Sequence, residues 1–297
     1  MSATPGPYAR PVVAVLGLGA MGLPMAARLA SALTVYAFDI VAERTQLAVD
    51  GGALPASTPA DAARKADIVV VGVRSQEQFE SAMFGPAGAM ESLRVGAVVI
   101  LTSTVGTQVA ADAAARLAEH GVDLLDAPVS GGALRAANGD LLIMVGGSET
   151  VIERAQAVLD LLASTTYTVG PQPGDAQTMK TVNQLLCGIH TLAAAEALSL
   201  AHRLGLDLDA AIGILGSGAA ASFMLADRGP RMVQQLAGDQ PPLRSRLDVI
   251  SKDMGIVHAL TRRAGIAAPL AAAAEQAYLA MEARGHSADD DSIMVTA

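Results

Sequence analysis

The run Val12-Val13-Ala14-Val15-Leu16 leads straight into Gly17-Leu18-Gly19-Ala20-Met21-Gly22. An apolar run without polar alternation is what a strand buried on both faces of a parallel sheet requires. Pro24 then suits the first turn of a helix. Asp39 closes the next apolar run, 22 residues after Gly17. Strand, G-x-G-x-x-G turn, helix start and distant acid together form a dinucleotide-binding fingerprint; glycines alone would mark no more than a tight turn. Gly17 permits the turn, Gly19 admits a pyrophosphate close to the backbone, and Gly22 lets helix and strand pack. The loop from Gly17 through Leu18, Gly19, Ala20 and Met21 to Gly22 is the expected phosphate cradle, with the free N–H groups of the helix start facing the charge. Asp39 would accept hydrogen bonds from a ribose diol and repel a 2′-phosphate. NAD is therefore expected, and Arg44, five residues on, keeps NADP open.

Working outward, short apolar runs recur at 34–38, 68–73, 97–101, 122–125 and 141–145, with a last one at 165–169. Ala-rich segments of helical spacing, such as 24–33, 59–65 and 108–120, lie between them. This alternation predicts crossover units on a mostly parallel sheet. Residues 175–204 contain no Pro and one Gly, and Met179, Val182, Leu185, Leu186, Ile189 and Leu192 recur at helical spacing. A long helix follows, and 207–215, 225–236, 243–263 and 267–283 read as further helices. The expected fold class is α/β, with an N-terminal Rossmann-type domain (1–170) and an all-α C-terminal domain (171–297) joined by a long helix. Residues 1–10 read as a frayed leader.

The 297 residues are 52% hydrophobic and 16% charged, with a net charge of -9 and no basic stripe, which argues against a nucleic-acid or anionic-membrane surface. A single cysteine and five scattered histidines exclude a disulfide framework and give no metal-ligand spacing. The run 12–27 is interrupted by glycines and too short to span a bilayer. A cytoplasmic protein without membrane attachment is expected.

Two further sites stand out. Ser130-Gly131-Gly132 follows a strand, and a hydroxyl beside two flexible N–H groups can hold a carboxylate; an ordinary Gly-Gly turn is the competing reading. Lys180 lies near the start of the long helix, with Asn183 and Gln184 on the same face. A lysine there must find a partner or shift its pKa, unless it snorkels to solvent. The strand ends at Val73-Arg74 and Ser103-Thr104 fall where such sheets present loops to a cofactor.

These motifs make the chain similar to the β-hydroxyacid dehydrogenase family, which includes 3-hydroxyisobutyrate dehydrogenase and tartronate semialdehyde reductase. The matching stretches are 17–25 (GLGAMGLPM), 126–139 (DAPVSGGALRAANG), 170–183 and Lys252-Asp253. The resemblance implies a nicotinamide enzyme with Lys180 as catalytic acid/base. It implies that Ser130, Gly131 and Gly132 hold the substrate carboxylate and that Asn183 orients the hydroxyl. Thr104 would face the nicotinamide ribose and Lys252 the nicotinamide pocket, while Val73 is a cofactor candidate from its strand-end position alone. Family members usually assemble as homodimers or homotetramers.

Most members carry two adjacent asparagines after the lysine, whereas here Gln184 follows Asn183. With residues 184–190 and the ending Gly285-His286-(x3)-Asp290-Asp291-Ser292, this resembles the L-threonate dehydrogenase branch, which oxidises the C2 hydroxyl of a four-carbon sugar acid. The alternatives are 3-hydroxyisobutyrate or tartronate semialdehyde as substrate, or a non-catalytic dinucleotide-binding module. An ordinary lysine, with a pKa of about 10.4, is a poor base near neutrality. Desolvation, and repulsion from Lys252 where the two lysines approach, would bring it into range. His190 reads as a core histidine and 289–292 as a solvated tail, for which the resemblance offers a role at the pocket rim as the alternative.

Overall fold

A computed structural model describes residues 10–297, so the leader expected at 1–10 lies outside the described residues apart from Arg10. The chain divides into two compact units, one ending at Lys180 and the other comprising Thr181–Ala297. In chain order the first carries β1 (Val12–Leu16), α1 (Gly22–Ala30), β2 (Thr34–Phe38), α2 (Ala42–Asp50), β3 (Leu54–Pro55), α3 (Pro59–Ala63), β4 (Ile68–Val71) and α4 (Gln76–Phe84). It continues with β5 (Val98–Leu101), α5 (Thr107–Ala118), β6 (Asp123–Asp126), β7 (Val129–Ser130), α6 (Gly132–Asn138), β8 (Leu141–Gly146), α7 (Glu149–Leu162) and β9 (Ala163–Gly170). The boundary between units falls inside α8 (Asp175–Arg203), after which come α9 (Leu208–Gly216), α10 (Phe223–Leu236), α11 (Leu247–Ala264), α12 (Pro269–Ala283) and a terminal 3-10 turn at Asp291–Thr296.

The sheet order is β3-β2-β1-β4-β5-β6-β8-β7, with β9 pairing β8. Strands from β3 to β6 run parallel, and β8 is antiparallel to both β6 and β7. The apolar runs are continuous because both faces of the sheet are covered. Val13, Val15, Val70 and Ile100 point to one side, where Met25, Leu29, Val158 and Leu162 of α1 and α7 close over them. Ala14, Leu16, Val71 and Leu101 point to the other, against Phe79, Met83, Ala110 and Leu117 of α4 and α5. This arrangement brings the polar ends of β1, β2, β4, β5 and β6 to one edge, where open α/β sheets bind ligands.

In the second unit Ala195 and Leu198 of α8, Met232 of α10, Met254 and Val257 of α11, and Tyr278 and Met281 of α12 form one buried cluster. By length and composition α8 could cross a membrane. Its Ala194, Ala195 and Leu198 instead pack into that cluster, as a core helix does. The apolar positions read from the sequence of α8 divide: Leu185, Ile189 and Leu192 pack against the cluster, whereas Met179, Val182 and Leu186 are about half exposed.

Gly188 sets the approach of α8 to α11, since a Cβ there would fall 2.2 Å from the Met254 sulfur. Tyr278 Oη donates to the Gly188 carbonyl at 2.8 Å, and burial pushes that phenol well above its ordinary range. Gly188→Ala should destabilise the protein in chemical denaturation by about 1–3 kcal/mol through overpacking. Gly255→Ala, whose nearest neighbour would be Glu275 Oε1 at 3.9 Å, should be neutral or stabilising by up to about 1 kcal/mol. Equal effects at the two glycines would contradict this packing.

Candidate active site

The glycine loop has the geometry its spacing predicts. Gly17 adopts φ +88°, and a Cβ there would meet the Gly72 carbonyl at 2.6 Å. At Gly22 a Cβ would overlap the Gly17 carbonyl. At Gly19 it would meet nothing within 4 Å, so space is open where a pyrophosphate would approach the backbone. Asp39, ending β2 and 9% exposed, accepts from the Leu18 N–H at 2.7 Å and from the Val41 N–H at 2.9 Å. Arg44 Nη1 lies 3.5 Å from Asp39 Oδ1 with its side chain 46% exposed. The acid is thus pinned against the loop, and a cation stands beside it. At the end of β4 the Val73 N–H donates to Ser103 Oγ at 2.8 Å, and Thr104 is half-buried just beyond β5. These residues fit a dinucleotide: open space beside Gly19, a helix start whose N–H groups can meet a phosphate, and an acid after β2 where a ribose would lie.

Ser130 ends β7, and Gly131 and Gly132 open α6 with φ values of +138° and +79°. Gly132 is exposed, and nothing lies within 4 Å of where its Cβ would be, so the backbone here is accessible to a small anion.

Lys180 is buried, 7% exposed, near the start of α8. What fixes that start is Asp126, a residue to which the sequence reading gave no role. Its Oδ2 accepts from the Gly174 and Gln177 N–H groups at 2.9 Å each, and its Oδ1 from Gln177 Nε2 at 2.8 Å. Gln177 Nε2 also donates to the Ser103 carbonyl at 3.0 Å, while its Oε1 accepts from the Val105 and Gly106 N–H groups at 3.0 and 3.1 Å. Burial pushes the Asp126 carboxyl up to about 6, against the opposing pull of the Gln177 and Gly174 donors. The available signal was an acid at the end of an apolar strand and a glutamine in the first turn of an apolar helix.

In the second unit the structure joins three of the expected residues through a fourth. Asn183 Nδ2 donates to Gln184 Oε1 at 2.9 Å, Gln184 Nε2 donates to Asp253 Oδ2, and Lys252 Nζ lies 2.7 Å from Asp253 Oδ1. Two expectations are corrected. His190 is exposed, because it falls on the stripe of α8 that carries Val182 and Leu186, whereas the buried stripe runs through Gln184 and Thr191. Of the 289–292 segment only Asp289 is solvated: Asp290, Asp291 and Ser292 are at most 4% exposed. Arg231 Nε bonds Asp290 Oδ1 at 2.8 Å and Arg228 Nη2 bonds Asp291 Oδ2 at 2.9 Å. Burial raises the Asp291 carboxyl, and Arg228 opposes that shift.

Residues 12–170 match the model of the NAD binding domain of 6-phosphogluconate dehydrogenase, and 174–297 match the NAD-binding domain of NADP-dependent 3-hydroxyisobutyrate dehydrogenase. An L-threonate dehydrogenase of Cupriavidus necator is 38% identical over 95% of this chain and 94% of its own length. The chain belongs to the β-hydroxyacid dehydrogenase family. The crystal structure of 3-hydroxyisobutyrate dehydrogenase from Salmonella typhimurium is 32% identical, with a TM-score of 0.88 over 96% of this chain and 99% of that one. A third relative, Psf3 in complex with NADP+ and 2-OPP, is 25% identical with a TM-score of 0.87 over 96% and 99% of the two chains. This family member is accordingly an NAD(P)-dependent hydroxyacid dehydrogenase, with a parallel-sheet nucleotide domain and a helical C-terminal domain.

Asp39→Ala should lower kcat/KM for NAD about 10- to 100-fold, the cost of losing charge-assisted hydrogen bonds, and affect NADP less. Parallel initial rates with the two nucleotides test this. A wild-type preference for NADP, or an equal loss with both, would contradict the assignment of Asp39.

Proposed function

We propose that this dehydrogenase oxidises the C2 hydroxyl of a four-carbon sugar acid, L-threonate, to the 2-oxo acid with NAD, Lys180 serving as general acid/base. The observation that carries the reading is the polarity of α8. Gln177, Lys180, Thr181 and Gln184 recur at helical spacing and are each at most 8% exposed, where a core helix would bury apolar side chains. Polar groups are costly to bury, and such a stripe is expected where a site requires them.

When bound, NAD supplies the hydride acceptor. Gly17, Leu18, Gly19, Ala20, Met21 and Gly22 would cradle its pyrophosphate and Asp39 its ribose, with Val73, Thr104 and Lys252 toward the nicotinamide half. Ser130, Gly131 and Gly132 hold the substrate carboxylate through a hydroxyl and backbone N–H groups. Asn183 and Gln184 orient the substrate hydroxyls. Lys180 Nζ takes the proton from the C2 hydroxyl as the C–H bond loses its hydride, and returns it in the reverse direction. A longer amide at 184 suits a polyhydroxylated acid better than one bearing a methyl group. The domain division implied is 1–170 for the nucleotide and 171–297 for substrate and assembly.

We also infer a cytoplasmic homo-oligomer, a dimer or tetramer formed through the helical half. Among the described residues α9 has no buried side chain, although its sequence LDAAIGILG is mostly apolar, and Ile214 is 73% exposed. Sedimentation should give a dimer or larger, and a monomer at micromolar concentration would contradict this.

Incubation with NAD and, in parallel, L-threonate, 3-hydroxyisobutyrate and glycerate (the reduced form of tartronate semialdehyde) should produce NADH fastest with L-threonate. Fastest turnover with either other acid would move the assignment to that acid, and the absence of NADH with every acid would favour a non-catalytic role. Lys180→Met should reduce kcat about 10²- to 10⁴-fold while NADH still binds by fluorescence titration. Near wild-type turnover would remove Lys180 from the mechanism.

A further inference from the structure

The geometry points to Asp253 as a positioning residue that fixes which end of the Asn183 amide meets the substrate. Asp253 is 3% exposed on α11 and lies between Lys252 and Gln184. A carboxylate is an acceptor without a proton to give, so the amide of Gln184 must turn its Nε2 toward Asp253 Oδ2. That orientation leaves Gln184 Oε1 facing Asn183, and an oxygen there must be met by a donor. Asn183 therefore turns its Nδ2 inward, donating to Gln184 Oε1 at 2.9 Å and to Cys187 Sγ at 3.3 Å. Both Nδ2 protons are then engaged, which leaves Oδ1 as the end of the Asn183 amide available to a substrate.

The consequence is chemical. An outward carbonyl oxygen accepts a hydrogen bond from a substrate hydroxyl, whereas an outward NH2 would compete as a donor. Without the acid, both amides could rotate by half a turn at little cost, since the two ends are nearly the same shape. Lys252 neutralises the buried carboxylate, and the Gly188–Met254 contact holds α11 close enough to α8 for the relay to form. Gln184, one methylene longer than an asparagine, reaches both Asn183 and Asp253.

The inference rests on the reading of Asn183 as the group that binds the substrate hydroxyl, and a double-mutant cycle separates the two. With L-threonate as probe, or 3-hydroxyisobutyrate if that acid is the one turned over, Asp253→Asn should lower kcat/KM about 10- to 100-fold, the cost of one misplaced buried hydrogen bond. Most of the loss should appear in KM for the acid, with the NAD KM little changed. In an Asn183→Ala background the same substitution should have little further effect. Asp253→Asn combined with Gln184→Glu swaps the acid and the amide and so restores the relay. The new amide at position 253 can donate to the new carboxylate at position 184, which can still accept from Asn183. This pair should recover most of the activity. If Asp253→Asn fails to fold, Asp253→Glu, which keeps a carboxylate for Lys252 and displaces the acceptor from Gln184 Nε2, serves the same comparison. An equal loss in both backgrounds would overturn the relay and make Asp253 a structural partner of Lys252. Wild-type kcat/KM in Asn183→Ala alone would overturn the substrate role of Asn183, and the relay with it.

Discussion

A buried carboxylate at the end of β6 fixes where the long helix begins. Asp126 accepts three N–H groups from the Gly174–Gln177 turn, and Gln177 in turn ties that turn to the loop after β5. Buried hydrogen-bond networks of this kind hold their members to one geometry because leaving any of them unpaired costs about 1–3 kcal/mol. Lys180 lies one turn beyond Gln177, so its position along the sheet edge is set by the same bonds. The cost is carried by Asp126, whose carboxyl is raised to about 6 by burial despite its donors. That an acid is kept there argues for the value of a fixed helix start.

The same logic runs along the first half of α8. From Gln177 to Gln184 its buried stripe is polar while Met179, Val182 and Leu186 are about half exposed, the reverse of an ordinary amphipathic helix; further on, Ala194, Ala195 and Leu198 restore an apolar buried face. Each buried polar side chain with described partners is matched by complementary groups: Gln177 by Asp126 and two backbone amides, Gln184 by Asp253 and Asn183. On the proposed function, the polar inner face serves the site and the outer apolar face is what assembly would cover.

The parallel strands were legible in the sequence because burial on both faces leaves unbroken apolar runs. The runs at 12–16 and 34–38 coincide with β1 and β2, and the long helix expected at 175–204 is Asp175–Arg203. The helices α2 and α4 left weaker traces, since one buries a single residue, Ala48, and the other Phe79 and Met83. The antiparallel β7 has two residues, too short for any period to register. At the candidate site, the glycine loop and Asp39 were readable because their spacing is local. Asp126, Gln177 and the role of Asp253 were not, because each acts through partners 48 to 74 positions away in the chain. His190 was misjudged since periodicity alone does not tell which face of a helix is covered. The burial of Asp290 and Asp291 was not legible because their arginines, Arg231 and Arg228, belong to another helix.

The measurement that bears most directly on the account is a crystal structure of the protein with NADH and the 2-oxo acid, or an unreactive hydroxy acid analogue. Lys180 Nζ should lie about 3 Å from the C2 oxygen, with the ligand carboxylate at Ser130, Gly131 and Gly132. A ligand whose C2 oxygen is bonded by other groups, with the Lys180 amine turned to bulk water, would contradict it.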